Sequence, residues 1–504
     1  MPSLSEIFLF DPEKPLLFTR LYFWVFYAVV LILYSIIYRQ RAARNAFLFA
    51  ASLFFYWKTS GLFFMLLVFS TVSDYYLGNL IHYSGKQAWR KFGVVMSVFI
   101  NLFMLSYFKY TYLFVDTVNH LFSTDIQVVN HLALASNRLT GTHFDVTKIL
   151  LPVGISFYTF QTISYTVDLY RRKINPVKHI LDFGFYVSFF PQLVAGPIVR
   201  ASEFIPQLYK RYSLTREEFG FAVFVILKGL FKKMFIGDYL AVNFIDRVFA
   251  NPAGFSGFEN LMALYGYSLQ VYVDFSGYTD IAIGVALLLG FRLPKNFNSP
   301  YKATSVGNFW KRWHISLSSW LRDYLYIPLG GNRKGRVITD INLMITMLLG
   351  GLWHGASWQF MMWGGLNGLG IVVYKLWRKI SPYEHIKHWA VRFWKIFITF
   401  QFITFTRIWF RSDSMEHANE LMRQVAHHFN AAIIPDVLWS YRWVFAVMAL
   451  GYFTHWVPNR WKNALLNGYI AAPYWAKVLI AVLVIFIIYQ SYSADLQPFI
   501  YFQF

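Results

Sequence analysis

Long runs of apolar residues without a charged side chain recur along the whole sequence. A membrane-spanning helix requires roughly 17–25 such residues, and several of the runs reach that length. The pattern predicts an all-α polytopic membrane protein with about 11 to 13 membrane segments, some of them broken, re-entrant or interfacial. The principal runs are Leu21–Tyr38, Thr59–Ser73, Phe92–Phe108, Ile149–Val167, Phe183–Val199, Ile341–Tyr374, Trp443–Asn459 and Val478–Ala494.

The composition agrees with a membrane protein and excludes an ordinary soluble enzyme. Of the 504 residues, 57% are hydrophobic and 14% are charged, whereas soluble domains carry about 25% charged residues. The sequence contains no cysteine, which excludes disulfide bonds, thiolate catalysis, cysteine zinc sites and iron–sulfur clusters. Any chemistry must therefore use histidine, serine, tyrosine, asparagine or carboxylate side chains.

Positive charge is gathered in short clusters between the apolar runs, and the formal net charge is +21. Arg39, Arg41 and Arg44 follow the first run, whereas only Lys14 and Arg20 precede it. The positive-inside rule then predicts an extracytoplasmic N-terminus and a cytoplasmic loop after the first run. Because the N-terminal segment lacks a basic start, we expect the first run to be an uncleaved span rather than a signal peptide.

The later basic clusters have two interpretations. Lysine and arginine become denser between Lys210 and Arg336. These residues either enforce topology and meet anionic lipid head groups, or bind a polyanionic cytosolic substrate such as a coenzyme or an acidic carrier protein. The sequence leaves both interpretations open, and neither requires nucleic acid as a partner.

Nothing in the sequence divides the chain into separate domains. It has no internal repeat at a fixed period and no Pro/Ser-rich linker, so we expect residues 1–504 to form a single membrane domain. The segment Phe410–Arg442 is rich in polar residues and histidine, which predicts an extramembrane loop that carries a helix.

Two carboxylates lie between apolar segments, where ionisable groups are costly and usually face the protein interior or a watery cavity. Asp274 and Asp280 are six positions apart, which separates them by about 240° around a helix. They therefore form no paired-carboxylate site unless Gly277 breaks the helix. Each either accepts hydrogen bonds from neighbouring helices or lines a tunnel.

Residues Val306–Tyr326 have the spacing of an amphipathic helix with a broad aromatic stripe. His314 is predicted at the edge of that stripe, and Ser318, Lys311 and Arg322 lie further round. Such a helix is expected to lie in the interface or to pack obliquely, with its cationic side toward water or an anionic ligand. His314 is then either a structural hydrogen-bonding group or a catalytic one.

The longest charge-free run, Ile341–Tyr374, is too long for one upright span and has basic residues at both ends, which predicts a hairpin or a broken helix. His354 lies near its middle, about 20 Å from the cytoplasmic edge of a ~30 Å core. Gly350, Gly351 and Gly355 surround it. Glycines permit close approach of a substrate and also close packing of helices, so a functional and a structural histidine both fit.

Two further histidine pairs have spacings that metal sites use. His385 and His388 are one turn apart, and His427 and His428 are adjacent. No carboxylate framework accompanies either pair, and both fall in predicted loops, so we expect no metal site.

Six motifs in collinear order resemble those of the membrane-bound O-acyltransferases, and in particular the bacterial polysaccharide branch typified by the membrane subunit of alginate O-acetyltransferase. The motifs are also related to those of the teichoic-acid D-alanylation transferase. Residues 150–411 carry the core motifs, residues 1–145 resemble the family in hydropathy alone, and residues 412–504 comprise a loop and C-terminal spans. The motifs are Leu151–Gln161, Phe190–Arg200, Asp274–Asp280, Asn308–Asn332, Gly351–Trp358 and Pro498–Phe504.

The resemblance implies helices around a central tunnel, with a cytoplasmic opening for an acyl donor. By motif match, His354 takes the place of the catalytic histidine and His314 that of the second functional histidine. The resemblance also implies tunnel-lining or donor-binding roles for a group of nearby residues. These are Asn308, Trp310, Lys311, Ser318, Arg322, Asp323 and Trp353. For Asp323, an ion pair with a neighbouring arginine or lysine is the alternative.

The implied activity is transfer of an acetyl group from acetyl-CoA, a co-substrate rather than a bound cofactor, to hydroxyl groups of an extracytoplasmic polysaccharide. An exported SGNH-hydrolase-like protein is the implied partner, and the bacterial inner membrane the implied location. D-alanyl transfer from a carrier protein to a cell-wall polymer is the first alternative. A transporter or channel lined by Asp274, Asp280 and His354 is the second.

Overall fold

A computed structural model describes residues 9–11, 15–140, 144–194 and 196–491, and these residues contain helices and no β-strand. The C-terminal motif Pro498–Phe504 lies outside them. The first helices are α1 (Leu21–Ile37), α2 (Arg41–Ser60), α3 (Phe64–Tyr83), α4 (Gln87–Lys109), α5 (Thr111–Phe122) and α6 (His131–Thr140). The central helices are α7 (Ile155–Tyr170), α8 (Ile180–Ser188), α9 (Phe190–Leu193), α10 (Ala201–Leu208), α11 (Arg216–Leu230), α12 (Asp246–Ala250), α13 (Gly257–Leu288), α14 (Val306–Trp310) and α15 (Ile315–Leu321).

The remaining helices follow the same pattern of long apolar elements joined by short ones. They are α16 (Gly335–His354), α17 (Trp358–Ile380), α18 (Trp389–Arg411), α19 (Met415–His427), α20 (Ile434–Ser440), α21 (Arg442–Trp456), α22 (Asn459–Ala471) and α23 (Tyr474–Gln490). Three π-helical stretches span Phe231–Asp238, Ala241–Ile245 and Arg322–Tyr326, and four 3₁₀ turns span Gly61–Phe63, Pro252–Gly254, Pro300–Lys302 and Ala431–Ile433.

The predicted all-α polytopic membrane fold is confirmed. By length and composition, four helical stretches of the described chain can cross a membrane, or five if one pair bent by 87° is counted as a broken span. Other apolar helices, such as α1 and α23, have 17 residues each. The total of about 11 to 13 segments stays a prediction. The four stretches are Arg41–Tyr83, Gln87–Lys109, Gly257–Leu288 and Gly335–His354.

Helix α13 forms the centre of the molecule, and most of its residues are buried. It packs closely on α11 because both helices present glycines at the contact. A Cβ atom on Gly229 would lie 2.6 Å from the carbonyl oxygen of Gly277, and one on Gly284 would lie 2.6 Å from that of Ala222. The helix runs unbroken through Gly277, so Asp274 and Asp280 stay on different sides of it.

Helices α16 and α17 form a hairpin, as the length of the Ile341–Tyr374 run predicts. The turn between them comprises residues 355–357. The two backbones touch, since a Cβ atom on Gly351 would lie 2.2 Å from the Phe360 carbonyl oxygen and one on Gly364 would lie 2.4 Å from that of Met347. Close helix packing therefore explains at least one glycine beside His354.

The prediction of one continuous amphipathic helix over Val306–Tyr326 is wrong. The chain forms α14, breaks at His314 in the left-handed region (φ 42°, ψ 57°), and resumes as α15 and a π-helical turn. The break is held from outside the segment, because Asn296 accepts hydrogen bonds from the Ile315 and Ser316 amides at 2.9 and 3.1 Å. Phe309, Trp313, Leu317 and Trp320 are buried, as the aromatic stripe predicts.

Candidate active site

His354 is the last residue of α16 and is 2% exposed. The carbonyl groups at the end of a helix lack intrahelical partners. Here the end of α4 satisfies them: Lys109 Nζ donates to the carbonyl oxygens of Trp353 at 2.6 Å and His354 at 3.1 Å, and the Tyr110 hydroxyl donates to that of Leu352 at 2.9 Å. The backbone of His354 is thus fixed by a second helix.

The ring of His354 lies in an aromatic chamber. Its centroid is 5.0 Å from the ring centroids of Trp353 and Trp363, and 5.6 Å from that of Phe410. The ring of His314 is 6.4 Å away. The fold therefore brings together the two histidines that the sequence analysis singled out, although 40 positions separate them.

His314 is 0% exposed and is not at the edge of a helical stripe as predicted. Its Nδ1 is 3.2 Å from Asn296 Oδ1. That oxygen also accepts the Ser316 backbone N–H at 3.1 Å, which fixes it as the acceptor end of the amide. Nδ1 must then carry the proton, so the neutral ring has its lone pair on Nε2. Burial at the break between α14 and α15 explains the shift from the edge to the interior.

A cavity of about 140 Å³ lies beside His354. Liquid water occupies about 30 Å³ per molecule, so the cavity has room for a small acyl group. Gly154, at φ 76°, forms one wall, where a Cβ atom would lie 2.6 Å from the Leu193 carbonyl oxygen. The polar or aromatic lining residues are Lys109, Ser156, Phe157, Trp353 and His354. A larger groove of about 590 Å³ on α4 is lined by apolar residues and Ser106, so it offers no titratable side chain for acid–base chemistry.

The structure places the residues predicted to bind the donor in three different surroundings. Trp353 is buried in the chamber, and Trp310 is at its wall, 5.6 Å from Trp363. Asn308 accepts a hydrogen bond from Arg312 Nε at 3.1 Å. Among the remaining members, Lys311 and Arg322 are exposed, and the Ser318 hydroxyl donates to the Trp313 carbonyl oxygen at 3.2 Å.

Asp323 forms the ion pairs that were its alternative role. It is 2.7 Å from Arg322 Nε and 2.7 Å from Arg200 Nη2. Burial alone would raise the pKa of this carboxyl, but hydrogen bonds from the two arginines bring its pKa below the ordinary value. Asp323, in the π-helical turn after α15, is therefore paired with Arg200, the residue that precedes α10.

Asp274 and Asp280 are both paired with lysines of α11 and the π-helical stretch that follows it. Lys233 contacts Asp274 and is 2.7 Å from Asp238. Asp280 lies between Lys228 at 3.1 Å and Lys232 at 2.8 Å. These ion pairs account for two carboxylates inside the membrane domain.

Three residues of the site were missed by sequence reasoning: Asn296, Lys109 and Arg407. Arg407 is 1% exposed in α18, with its guanidinium 4.6 Å from the ring centroid of Trp313. Its signal was present, since an arginine that follows eleven residues without a charge is an ionisable group in an apolar segment. Lys109 gave the same signal, since it ends the charge-free run Phe92–Phe108. Asn296 gave none, because its partner His314 is 18 positions away.

The histidine pairs considered for metal binding lie apart from the chamber. His385 and His388 fall between α17 and α18, where His388 Nδ1 accepts the Ala390 amide at 3.3 Å. His427 and His428 fall at the end of α19. Within the described ranges, no group of three or more His, Asp or Glu side chains could hold a metal ion.

Comparison with known proteins shows which family the chain resembles. The sequence profile of the membrane-bound O-acyltransferase family matches residues 171–412. A peptidoglycan O-acetyltransferase of Helicobacter pylori is 36% identical over 436 residues, which cover 80% of this chain and 78% of that protein. A probable alginate O-acetylase of Pseudomonas syringae pv. tomato is 39% identical over 387 residues, 75% of this chain and 69% of that protein. A teichoic acid D-alanyltransferase of Bacillus subtilis is 28% identical over 289 residues, 55% and 72% of the respective chains.

Proposed function

This chain belongs to the membrane-bound O-acyltransferase family, and we propose that it moves acetyl groups from cytoplasmic acetyl-CoA toward hydroxyl groups of an extracytoplasmic polysaccharide. It is an O-acyltransferase and a multi-pass membrane protein. The proposal rests above all on the two buried imidazoles 6.4 Å apart, one of which, His354, lines a cavity of about 140 Å³. Acetyl rather than D-alanyl is favoured because the relatives named for O-acetyl transfer match this chain at higher identity and over more of its length.

In the proposed reaction His354 is the general base. Its imidazole takes the proton of the acceptor hydroxyl as the hydroxyl oxygen attacks the thioester carbonyl carbon. The C–S bond then breaks, and the leaving thiolate receives that proton from the imidazolium. His314, held as the Nδ1–H tautomer by Asn296, positions the donor beside His354. In a covalent variant the imidazole itself attacks the thioester, and mass spectrometry of the protein mixed with donor alone separates the two routes.

A cationic cluster on the donor side supports a phosphate-rich donor. Lys302 and Lys462 donate to the carbonyl oxygens of Val457 and His455, each at 2.9 Å. The His455 ring lies 4.7 Å from the Tyr272 ring, and Lys232 Nζ lies 5.5 Å from the same ring. Lys228 lies beside Lys232, because both pair with Asp280. Burial, and then the charges of Lys302 and Lys232, lower the pKa of Lys462 to about 8.

Two further cations, Lys295 and Arg312, act electrostatically on Lys462 and Lys302, and in the sequence they lie beside residues of the histidine chamber. Lys295 precedes Asn296, and Arg312 precedes His314 by two positions; both donate to Asn298, Lys295 at 3.2 Å and Arg312 at 3.1 Å. A field of several clustered cations raises the local concentration of polyanions. The phosphates of acetyl-CoA fit such a field, and so does an acidic carrier protein.

We also propose an exported partner, an SGNH-hydrolase-like protein that passes the acetyl group to the polymer, and a location in the bacterial inner membrane. A cavity of about 140 Å³ beside His354 accepts an acyl group more readily than a polymer strand. An intermediate carrier of the acyl group would remove the need for the polymer to reach the imidazole.

The test combines the purified full-length protein in liposomes with labelled acetyl-CoA, a D-alanyl-loaded carrier protein, an oligosaccharide acceptor, and an SGNH-hydrolase-like partner protein on the acceptor side. We expect release of CoA and label in the glycan with the first donor. The His354→Ala variant should insert normally and lose at least about 1,000-fold in turnover, because the proton then has no acceptor. His385→Ala, which removes an exposed histidine, is the matched control and should retain turnover.

Each contrary result has a defined meaning. Turnover on the loaded carrier without CoA release would replace acetyl by D-alanyl transfer. Normal glycan labelling by His354→Ala would remove His354 from the catalytic role. Ion flux that needs a substrate but consumes no thioester would favour a transporter.

A further inference from the structure

Arg407 carries a buried positive charge for which the described residues supply no counter-ion. It lies in α18, and its side chain is 1% exposed. Among the described residues, none of its three guanidinium nitrogens makes a hydrogen bond. The Tyr301 hydroxyl interacts with the guanidinium but donates its own hydrogen bond to the Ser268 carbonyl oxygen. Arginine is the side chain that carries a permanent charge in proteins, so this site presents a cation to any group that enters the chamber.

The neighbouring arginine of the same helix shows the usual arrangement. Arg411 lies one turn further along α18 and contacts Asp246 at 3.2 Å between Nη2 and Oδ1. Its guanidinium also lies 5.5 Å from the Phe249 ring centroid. Both arginines therefore have aromatic contacts, but the carboxylate belongs to Arg411.

Arg407 faces the chamber that contains the two histidines. Its guanidinium lies 5.2 Å from the ring centroid of Phe410 and 6.0 Å from that of Trp363. These are two of the three rings around His354. The guanidinium also lies over Trp313, the residue before His314. Three aromatic faces hold the cation in place, so it need not move when a negative charge develops nearby.

We propose that Arg407 binds the carbonyl oxygen of the acyl group and stabilises the oxyanion that forms on it. The inference rests on the proposed function. When the acceptor oxygen bonds to the carbonyl carbon, the C=O π pair moves to the oxygen while the hydroxyl proton goes to His354. The guanidinium donates hydrogen bonds to that oxygen. Collapse restores the C=O bond, breaks the C–S bond, and returns the proton from His354 to the thiolate.

A negative charge that appears only in the transition state explains why no carboxylate of the described residues pairs with Arg407. A carboxylate placed beside Arg407 would neutralise it and weaken its interaction with the oxyanion. Arg407 is on this basis a catalytic residue of the reaction, and the aromatic rings are its positioning residues.

The experiment compares Arg407→Gln and Arg407→Lys with Arg411→Gln in liposomes, with acetyl-CoA as the varied substrate. We expect Arg407→Gln to lower kcat by about 10²- to 10³-fold while the KM for acetyl-CoA changes less than about threefold, since the interaction is made in the transition state. Arg407→Lys should retain part of the activity. Arg411→Gln should keep kcat near the wild-type value. A further variant, Arg407→Ala, removes the whole guanidinium group. Added guanidinium chloride at millimolar concentration should restore activity to this variant.

The outcomes separate this inference from the proposed function. If His354→Ala is inactive while Arg407→Gln keeps wild-type kcat, the inference alone fails. A large rise in KM with unchanged kcat would assign Arg407 to a ground-state anion and overturn the oxyanion role. Equal losses of kcat in Arg407→Lys and Arg411→Gln, without guanidinium rescue, would make the arginine structural. If His354→Ala is active, the proposed function itself fails.

Discussion

The position of His354 is set through its backbone rather than through its ring. Lys109 reaches across from α4 to two carbonyl oxygens at the end of α16, and its ammonium also lies 6.0 Å from the Trp353 ring centroid. Charged donors favour the negative end of a helix dipole. Since α16 ends in the catalytic candidate, this contact determines where the imidazole stands relative to the cavity.

We predict that Lys109→Met lowers turnover about 10- to 100-fold because the imidazole is displaced. The lost charge-assisted hydrogen bonds should reduce stability by about 1.5–3 kcal/mol. Lys91→Met, an exposed lysine of the same helix, is the control. Thermal unfolding in detergent and kcat and KM for acetyl-CoA are measured, and Lys109→Arg should recover most of kcat. Full stability loss with unchanged kcat would contradict a positioning role.

Single residues were predictable from the sequence where their surroundings along the chain were unusual. His354 stood out because it is a titratable residue within a long run that has no Asp, Glu, Lys or Arg. The structure buries it. Asn296 could not be predicted, since its role requires a loop to meet the break at His314 in three dimensions. Arg407 was overlooked because the runs were defined by the absence of charge, and an arginine ends such a run.

Elements show the limit of periodicity. The spacing in Val306–Tyr326 correctly predicted that Phe309, Trp313, Leu317 and Trp320 are buried, but it placed the buried His314 at the edge of the stripe. It could not show that the chain breaks at His314. A tertiary contact with Asn296 overrides the local preference for a continuous helix there, and a left-handed residue results.

The hairpin of α16 and α17 depends on contact between two glycines. We predict that Gly364→Ala destabilises the protein by about 1–3 kcal/mol, because its Cβ atom would lie 2.4 Å from the Met347 carbonyl oxygen. Turnover should fall with it, since α16 carries His354 at its end. Gly468→Ala is the control, as its Cβ atom would meet no atom within 4 Å. The measurement is the melting temperature in detergent beside CoA release. Equal stability of the two variants would show that the helices can separate at no cost.

At the scale of the whole molecule, the basic residues serve more than one purpose. Arg44 is buried and donates to the carbonyl oxygens of Leu208 at 2.6 Å and Lys210 at 3.0 Å, so one member of the first basic cluster ties α2 to the end of α10. Arg90 donates to the Tyr170 carbonyl oxygen at 2.8 Å. Net charge and cluster position predicted a membrane topology, but which cations hold the fold depends on contacts that only the folded chain makes.

Hydropathy predicted the fold class but could not distinguish a crossing helix from a buried one that is broken. The run Phe183–Val199 has the length of a span, yet it divides into α8, α9 and a non-helical segment in the interior. In a large membrane domain the protein interior is as apolar as lipid. Composition alone therefore does not distinguish a helix that crosses the membrane from a broken helix buried in the protein. The number of crossings therefore has to be measured from the two sides of the membrane.

The absence of native cysteine makes that measurement direct. Ser84, in the loop before α4, precedes Lys86, Arg90 and Lys91, and Asp125 follows α5 in a segment poor in basic residues. The positive-inside rule predicts that Ser84 is cytoplasmic and Asp125 extracytoplasmic, with α4 crossing between them. A membrane-impermeant maleimide should then label Asp125→Cys in intact spheroplasts, and Ser84→Cys only after permeabilisation.

The orientation also tests the donor. If Ser84→Cys is labelled in intact spheroplasts and Asp125→Cys is not, the first basic clusters face the outside, where acetyl-CoA is absent. The cationic cluster of Lys302 and Lys462 would then need a ligand other than a cytoplasmic thioester. The expected result is labelling of Asp125→Cys alone in intact spheroplasts, with both variants retaining CoA release. The basic side is then the side of the thioester, and the polymer lies on the opposite side. Transfer across the membrane requires this arrangement.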